Sequence, residues 1–118
     1  YISKINGETM NNKNSSILKS VEKPGRYTGG EFGQIIKDKK DVDLRIAFCF
    51  PDTYEIGMSN LGMKILYGAL NEMDRVWCER VFAPWTDMEE QMRKNDIPLF
   101  ALEMITLHLM KNRFSLLF

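Results

Sequence analysis

From residue 43 onward, short apolar runs alternate with amphipathic segments, and this alternation limits the folds open to the chain more than any other feature. Asp43–Phe50 is a nearly continuous apolar run that ends at Pro51, a pattern typical of a strand buried on both faces. Trp77–Phe82, which is closed by Pro84, and Ile97–Leu102 are the second and third strand candidates. We therefore expect three β-strands at these positions.

Helical patterns fill the two intervals between these strands. Ser59 or Asn60 can cap a first helix, whose apolar residues recur at the helical period at positions 61, 65, 66, 69, 70 and 73. Thr86 or Asp87 can cap a second helix, which extends to about Lys94. The order β-α-β-α-β predicts an α/β fold: a partial doubly wound, Rossmann-like or flavodoxin-like parallel sheet with helices covering it.

The first 42 residues have a different character. Residues 1–40 contain eight Lys and Arg against four Asp and Glu, and residues 11–16 have almost nothing to bury. A short helix is expected across Ile17–Val21, before Pro24 and Gly25 turn the chain into a loop. We therefore divide the chain into an N-terminal arm (1–42), an incomplete α/β domain (43–103) and a tail (104–118).

Composition excludes several classes of protein. The chain has 118 residues, 44% of them hydrophobic, which is enough for one core without a disulfide scaffold. Its 16 Lys and Arg equal its 16 Asp and Glu, so no net charge favours nucleic acid. The longest apolar stretch, Leu99–Met110, is too short to span a bilayer, and the first residues lack the basic patch and continuous apolar core that are typical of a signal peptide. We expect no membrane partner and a cytoplasmic location.

The two cysteines, Cys49 and Cys78, lie within apolar stretches and are expected to be small buried side chains. No C-x-x-C pair occurs, and His108 is the single histidine. We therefore expect no metal site in this chain.

Ligands of open α/β sheets bind where strands end and helices begin, so the two strand–helix junctions are the first candidates. Gly57, Gly62 and Lys64 suggest a phosphate loop, but Lys64 does not directly follow the second glycine, and G-x-G-x-x-G is also absent. These glycines can instead serve a tight turn and close packing, or a small ligand can lie on exposed amides at the helix start.

At the second junction, Trp85 can stack on a planar ligand or pack against a neighbouring domain, and Asp87 fits a helix cap better than a catalytic acid. The candidate cofactor-binding residues are Asp52, Tyr54, Glu55, Gly57, Ser59, Asn60, Gly62, Trp85 and Asp87.

Three segments in order, Lys23–Glu31, Phe50–Gly62 and Glu79–Glu89, resemble the amino-terminal region of a family of radical S-adenosylmethionine (SAM) proteins. The resemblance extends from about Val21 to Glu103. It implies a cobalamin-binding-like, doubly wound domain that precedes a catalytic barrel. It also implies a 4Fe-4S cluster and S-adenosylmethionine, both in the part of the family that lies downstream.

The resemblance is incomplete at the groups that do chemistry. The family's C-x-x-x-C-x-x-C cluster motif does not occur in this chain, so we expect the chain alone to be catalytically inactive. The corrinoid-ligating pattern D-x-H-x-x-G is also missing, since Tyr54 and Glu55 follow Asp52 where a histidine would stand. Histidine ligation of cobalamin is therefore not expected, while a base-off or degenerate pocket stays open.

Both ends suggest a piece of a longer protein. The chain begins with Tyr1 rather than Met, and after Glu103 it stops resembling the family. We interpret residues 104–118 as an aberrant tail that results from a frameshift, which leaves His108 without an expected role.

Two functional classes follow. The chain is an accessory domain that contributes substrate or corrinoid contacts to a barrel, or it is a packing or partner-docking module. A freestanding flavodoxin-like binder of a small ligand ranks last, because no Ser/Thr-rich phosphate loop follows a strand. A half-built sheet would leave a strand edge and an apolar helix face unpaired, so we also expect self-association.

Overall fold

A computed structural model of the chain describes residues 13–104. The helices are α1 (Lys13–Ser20), α2 (Gly25–Thr28), α3 (Tyr54–Ser59), α4 (Leu61–Glu72) and α5 (Thr86–Lys94), and the strands are β1 (Leu44–Phe50) and β2 (Val76–Phe82). A 3₁₀ turn at Lys39–Asp41 precedes β1. None of the helices within the described range has the length and apolar character needed to cross a membrane.

The sheet consists of β1 and β2, paired in parallel over their whole length from Leu44↔Val76 to Phe50↔Phe82. The helices α3 and α4 make the connection between them, as a parallel pair requires. Two of the three predicted strands and the α/β class are thus confirmed, and each observed strand begins within one residue of its prediction.

The third predicted strand, Ile97–Leu102, was wrong: residues 97–101 form no strand. Asp96 adopts a positive φ of 54°, and the amide of Ile97 donates to Met92 O at 2.8 Å, so the chain turns back onto α5. Phe100 then packs against the core that α5 shares with α1. The described residues therefore contain a two-stranded parallel sheet, and the full β-α-β-α-β order is not formed by them.

The apolar core lies beside β2 rather than around β1. Buried residues of α1, α2, α5 and the position just after α1 form one cluster: Ile17, Val21, Tyr27, Met88 and Met92. The arm that sequence alone described as loop-rich thus contributes helices that pack on α5. Six of the seven β2 residues are buried, whereas every β1 residue is exposed or half-buried, so the expectation of burial on both faces of β1 was wrong.

The outer edge of β2 is closed by side chains instead of by a strand. Lys37 Nζ donates to Val76 O, and the Asn71 amide group bonds both the N–H and the C=O of Cys78, at 2.9 and 3.1 Å. The carboxylate of Glu103 accepts from the N–H of Arg80 at 2.7 Å. These backbone groups lie on alternate residues, which share one edge of a strand. The edge therefore offers little room for another strand.

The helix α4 packs on β2 through Met63, Tyr67 and Asn71. The predicted apolar residues do recur on one side of the helix, but that side does not face the sheet. Four of them are exposed: Leu61, Ile65, Leu66 and Met73. Asn60 caps α4 by accepting from Met63 N at 2.9 Å, as one of the two predicted alternatives. The second helix differs, because its N-cap is Trp85 without a side-chain hydrogen bond, and Thr86 and Asp87 lie in its first turn.

The two thiols have opposite environments. Cys78 is buried as expected, and burial raises its pKa to about 11, but Cys49 on β1 is exposed. Because the thiolate is the reactive form, iodoacetamide at pH 8 is expected to alkylate Cys49 and to spare Cys78 until the chain unfolds. Mass spectrometry of tryptic peptides checks this; alkylation of both thiols at equal rates in the native chain would contradict it.

Candidate functional site

The two strand–helix junctions meet at the carboxyl ends of β1 and β2. The amide of Ala83, just after β2, donates to Asp52 O, just after β1, at 2.9 Å. The carboxylate of Asp52 accepts from the adjacent amide of Thr53 at 2.7 Å, so it shapes the first turn of this junction. The predicted convergence of the two loops is therefore present.

Aromatic packing holds α3 against the strand ends. The rings of Tyr54 and Phe82 lie edge to face, with centroids 5.6 Å apart. Gly57 is buried, and a Cβ at this position would lie 2.1 Å from Phe82 Cε1 and 3.3 Å from Phe50 Cδ1. Gly57 thus serves the close packing of a helix on the sheet, one of the two roles considered from sequence.

Gly57→Ala is therefore expected to lower the free energy of unfolding by about 1–3 kcal/mol, because the Phe82 ring or α3 must move. The matched control is Gly68→Ala in α4, where an added Cβ would meet nothing within 4 Å. That change is expected to stabilise the helix by about 0.5–1 kcal/mol. Urea unfolding measures both; equal effects of the two changes would contradict the packing role of Gly57.

A charged and aromatic group spans the two junctions. Arg26 Nε donates to Glu55 Oε1 at 2.6 Å, and its guanidinium lies 5.2 Å from the centroid of the Trp85 ring. The hydrogen bond from Arg26 holds the pKa of Glu55 below its ordinary value. Arg26 Nη1 is buried and has no hydrogen-bond partner. Trp85 is 45% exposed, so part of its ring is accessible while the guanidinium of Arg26 lies against it.

The second junction is also tied to the N-terminal arm. Trp85 N donates to the hydroxyl of Tyr27 at 3.2 Å, and Asp87 Oδ2 accepts from Glu22 N at 2.8 Å. Asp87 Oδ1 accepts from Met88 N at 2.7 Å. Asp87 therefore joins α5 to the arm, a structural role that agrees with its unsuitability as a catalytic acid.

The other candidates lie at the far end of α3 and serve local structure. The hydroxyl of Ser59 donates to Glu55 O at 2.7 Å within α3. Asn60 caps α4, and an added Cβ at Gly62 would lie 3.3 Å from Asn60 Oδ1, so Gly62 gives the cap its room. These three residues do not join the group formed by Glu55, Arg26 and Trp85.

The cavity between the junctions is small. Its volume is about 20 Å³, and Arg26, Tyr27, Tyr54 and Leu99 are among its lining residues. A space of this size holds about one water molecule. A corrinoid or a nucleoside would therefore have to lie over Trp85 and the loop surface rather than between the strands.

Sequence reasoning missed the buried charged group at the centre of the domain. Arg80 Nε donates to Glu103 Oε1 at 2.6 Å, and Arg80 also pairs with Glu31. Its guanidinium lies 4.4 Å from the centroid of the Tyr67 ring, and the Tyr67 hydroxyl donates to Glu103 Oε1 at 3.0 Å. Burial alone would lower the pKa of Arg80, but Glu103, Tyr67 and Glu31 together offset this, and the pKa lies above its ordinary value.

This charged group connects the arm, α4, β2 and the segment that follows α5. Glu79 and Arg80 are adjacent and oppositely charged, a pattern that by itself indicates a surface ion pair. Both side chains are nevertheless buried and bind other partners: Glu79 pairs with Arg45 at 2.6 Å. The sequence signal that could have indicated this buried group is the presence of a Glu and an Arg within a strand that is otherwise apolar.

The residues present do not fit an iron–sulfur cluster. Across residues 13–104, no three His, Cys, Asp or Glu side chains are grouped so that they could hold a metal ion. Cys49 is exposed on β1 and Cys78 is buried on β2. Two thiols in these positions do not supply the four thiolates of a cluster.

Comparison with known proteins gives one match. Residues 62–112 match a family model described as radical SAM proteins, N-terminal. The matched range includes most of α4, the whole of β2, the second junction and α5. No curated protein and no solved structure matches the chain. The match supports a radical SAM N-terminal region over these residues.

Proposed function

We propose that this chain is the accessory N-terminal part of a radical SAM protein, that it is inactive alone, and that its junction surface contributes substrate or corrinoid contacts to a catalytic barrel. The observation that carries the proposal is the family match over residues 62–112, which contains the second junction. The proposed partner is the barrel of the same protein, and a cytoplasmic location stays a prediction.

The chemistry of the junction surface supports a role in binding. Trp85 presents a half-exposed indole beside a guanidinium that has one buried N–H without a partner. A planar group can stack on the indole, and an anionic substituent can accept from Arg26. Neither residue supplies a nucleophile or a redox group, which agrees with a role in positioning rather than in the reaction itself.

We expect the chain alone to be inactive because it lacks the thiolate ligands that an iron–sulfur cluster needs. The sequence contains two cysteines, and neither belongs to a C-x-x-x-C-x-x-C motif. When bound in the full protein, the cluster and S-adenosylmethionine would supply the radical chemistry of the family. Since the residues of this chain do not fit the cluster, its ligands would have to come from the rest of the full protein.

A packing or docking module is the second candidate, and a specific observation favours it. Most polar candidates at the junctions are already engaged within the domain: Asp52, Glu55, Ser59, Asn60 and Asp87 each bond to a neighbouring group. The surface left for a partner is then aromatic and apolar, which suits contact with another domain.

Titration with cobalamin and with S-adenosylmethionine separates the two candidates. Intrinsic fluorescence is followed in the unaltered chain and in Trp85→Phe, which keeps the buried Trp77. Binding at the junction predicts a saturable change in emission that Trp85→Phe loses. Adenosine and a non-corrinoid dye of similar absorbance control for inner-filter effects. No change with either cofactor would contradict ligand binding by the chain and favour docking.

The nature of the tail is a separate question. The family match continues to residue 112, so the expectation that the resemblance ends at Glu103 was wrong. A frameshift stays a hypothesis, and residues 105–118 lie outside the described range. Resequencing of the encoding DNA tests it, and an uninterrupted frame that does not continue into a cysteine motif would remove it.

A further inference from the structure

Glu79, in the middle of β2, is a buried acid whose two carboxylate oxygens have unlike surroundings. Its Oε2 accepts from Arg45 Nε at 2.7 Å and pairs with Arg45 Nη2 at 2.6 Å. Its Oε1 is buried and has no hydrogen-bond partner. A charged oxygen in such a place loses its water and gains no donor in return, which favours the neutral, protonated acid.

The charged side chains around Glu79 do not balance. Within residues 13–104, the carboxylates of Glu31, Glu79 and Glu103 share the two guanidiniums of Arg45 and Arg80. Glu31 and Glu103 both pair with Arg80, so Arg45 is the guanidinium left for Glu79. The Arg45 side chain is 35% exposed, and water therefore weakens its charge more than that of the buried Arg80. Uptake of one proton by this group would remove the excess negative charge.

The charged groups that act on Glu79 come from three other segments. Burial raises the pKa of Glu79 most, and Arg45 of β1 opposes this rise. Glu103, in the segment after α5, raises the pKa further, and Lys39 of the 3₁₀ turn, which is exposed, lowers it. The result of these opposing effects is a pKa above the ordinary value of a glutamate.

Arg45 connects Glu79 to the last described residue. Arg45 Nη2 donates to Met104 Sδ at 3.2 Å, and its guanidinium lies 5.3 Å from the centroid of the Trp77 ring. A thioether is a weak acceptor, whereas a hydrogen bond between a guanidinium and a carboxylate is strengthened by both charges. The charge on Glu79 is therefore the main force that holds the Arg45 side chain across β2.

We propose that Glu79 and Arg45 form a proton-controlled latch that joins β1, β2 and the segment at Met104. When Oε1 carries a proton, Glu79 is neutral and offers Arg45 only a weaker acceptor, so the Arg45 side chain turns towards solvent. When the pH rises, this proton passes to solvent and Glu79 becomes charged. Arg45 then closes across β2 onto Oε2, the closed arrangement described above.

The first test follows the side-chain carboxyl carbon of Glu79 by NMR in the unaltered 118-residue chain, so it does not depend on whether a variant folds. The expected midpoint of its titration lies above that of a glutamate in the unfolded chain. The Nε–H signal of Arg45 is expected to sharpen over the same pH range, because the closed latch protects this proton from exchange with water.

Arg45→Gln removes the cation of the latch and is expected to move the midpoint of the Glu79 titration upward by about one pH unit or more. Arg93→Gln is the matched control. Arg93 pairs with Glu89 on the surface of α5 and is 79% exposed, so its loss is expected to leave the Glu79 midpoint unchanged.

Urea unfolding as a function of pH gives an independent readout. Because the folded chain holds the Glu79 proton more tightly than the unfolded chain, the stabilisation from this proton is complete below the ordinary pKa of a glutamate. It is lost as the pH rises through the folded pKa. Relative to Glu79→Gln, the folding equilibrium constant of the unaltered chain should fall in this window by up to about tenfold per pH unit.

Three results would overturn the proposal. One is a Glu79 midpoint at or below that of the unfolded chain, which is the result expected if a cation from residues 105–118 pairs with Oε1. Another is a midpoint that Arg45→Gln leaves unchanged, since the two side chains would then form no latch. The third is the same pH dependence of stability in the unaltered chain and in Glu79→Gln.

Discussion

Replacement of Glu103 by alanine is expected to lower the free energy of unfolding by about 3–5 kcal/mol. The Glu103 side chain has no solvent exposure, and its carboxylate binds the guanidinium and the backbone N–H of Arg80 and the hydroxyl of Tyr67. Its removal leaves Arg80 as a buried charge with only Glu31 beside it. It also leaves the N–H of Arg80 unpaired at the outer edge of β2.

Urea denaturation followed by circular dichroism measures this loss, with Glu89→Ala as the matched control. Glu89 forms a surface ion pair with Arg93 one helical turn away, and its removal is expected to change stability by about 0.5 kcal/mol or less. Glu103→Gln should fall between the two, because the amide keeps the shape but not the charge. A loss below about 1 kcal/mol for Glu103→Ala would contradict the role assigned to this carboxylate.

The second large effect is expected at Trp77, where alanine should cost about 3–5 kcal/mol. Trp77 is fully buried, its Nε1 donates to Ile35 O at 3.1 Å, and Arg45 lies over its ring. The change removes a large part of the core and also one of the bonds that hold the arm against β2, beside those of Lys37 and Glu31. The unfolding midpoint should therefore fall well below that of the unaltered chain.

Trp85→Ala is the matched control, because it removes the same side chain from a half-exposed position. It is expected to cost about 1 kcal/mol or less, since most of the effect of a large-to-small change comes from burial. Trp77→Phe should give an intermediate loss, because the hydrogen bond to Ile35 is lost but much of the core stays filled. Equal losses for Trp77→Ala and Trp85→Ala would show that the core does not lie where we describe it.

Sequence patterns were sufficient for the parts of the fold that depend on local order. The apolar run before Pro51 and the capping residue Asn60 gave β1 and the start of α4 to within a residue. Helical periodicity alone could not tell which face of α4 meets the sheet. The face of α4 that meets the sheet carries Met63, Tyr67 and Asn71. This face is buried because Asn71 bonds to Cys78 and Tyr67 bonds to Glu103, and these long-range contacts leave no trace in the local sequence pattern.

The third strand was mispredicted for a related reason. Ile97–Leu102 has the composition of a strand, but a strand needs a free edge within reach. The edge of β2 is occupied by Lys37, Asn71 and Glu103, so the segment packs on α5 and α1 instead. Side chains from distant parts of the chain thus close the edge of β2, and the periodicity of apolar residues in a sequence does not predict such tertiary contacts.

At the candidate site, the sequence pattern places the two junctions at the strand ends but does not reveal which residues join them. Gly57, Trp85 and Glu55 do come to the strand ends, because the carboxyl ends of parallel strands share an edge. The partner that joins the last two is Arg26, 29 residues before Glu55 in the chain. The predicted set of cofactor-binding residues also contains Ser59, Asn60 and Gly62, because they are close to Glu55 in sequence. The helix α3 places them at its far end, away from Trp85.

The DNA downstream of codon 118, read in all three frames, tests the central claim most directly. If the chain is the accessory N-terminal part of a radical SAM protein, one frame continues into an α/β barrel that contains a C-x-x-x-C-x-x-C motif. The account predicts that motif within the next domain length. A downstream sequence without a cysteine motif in any frame would contradict it.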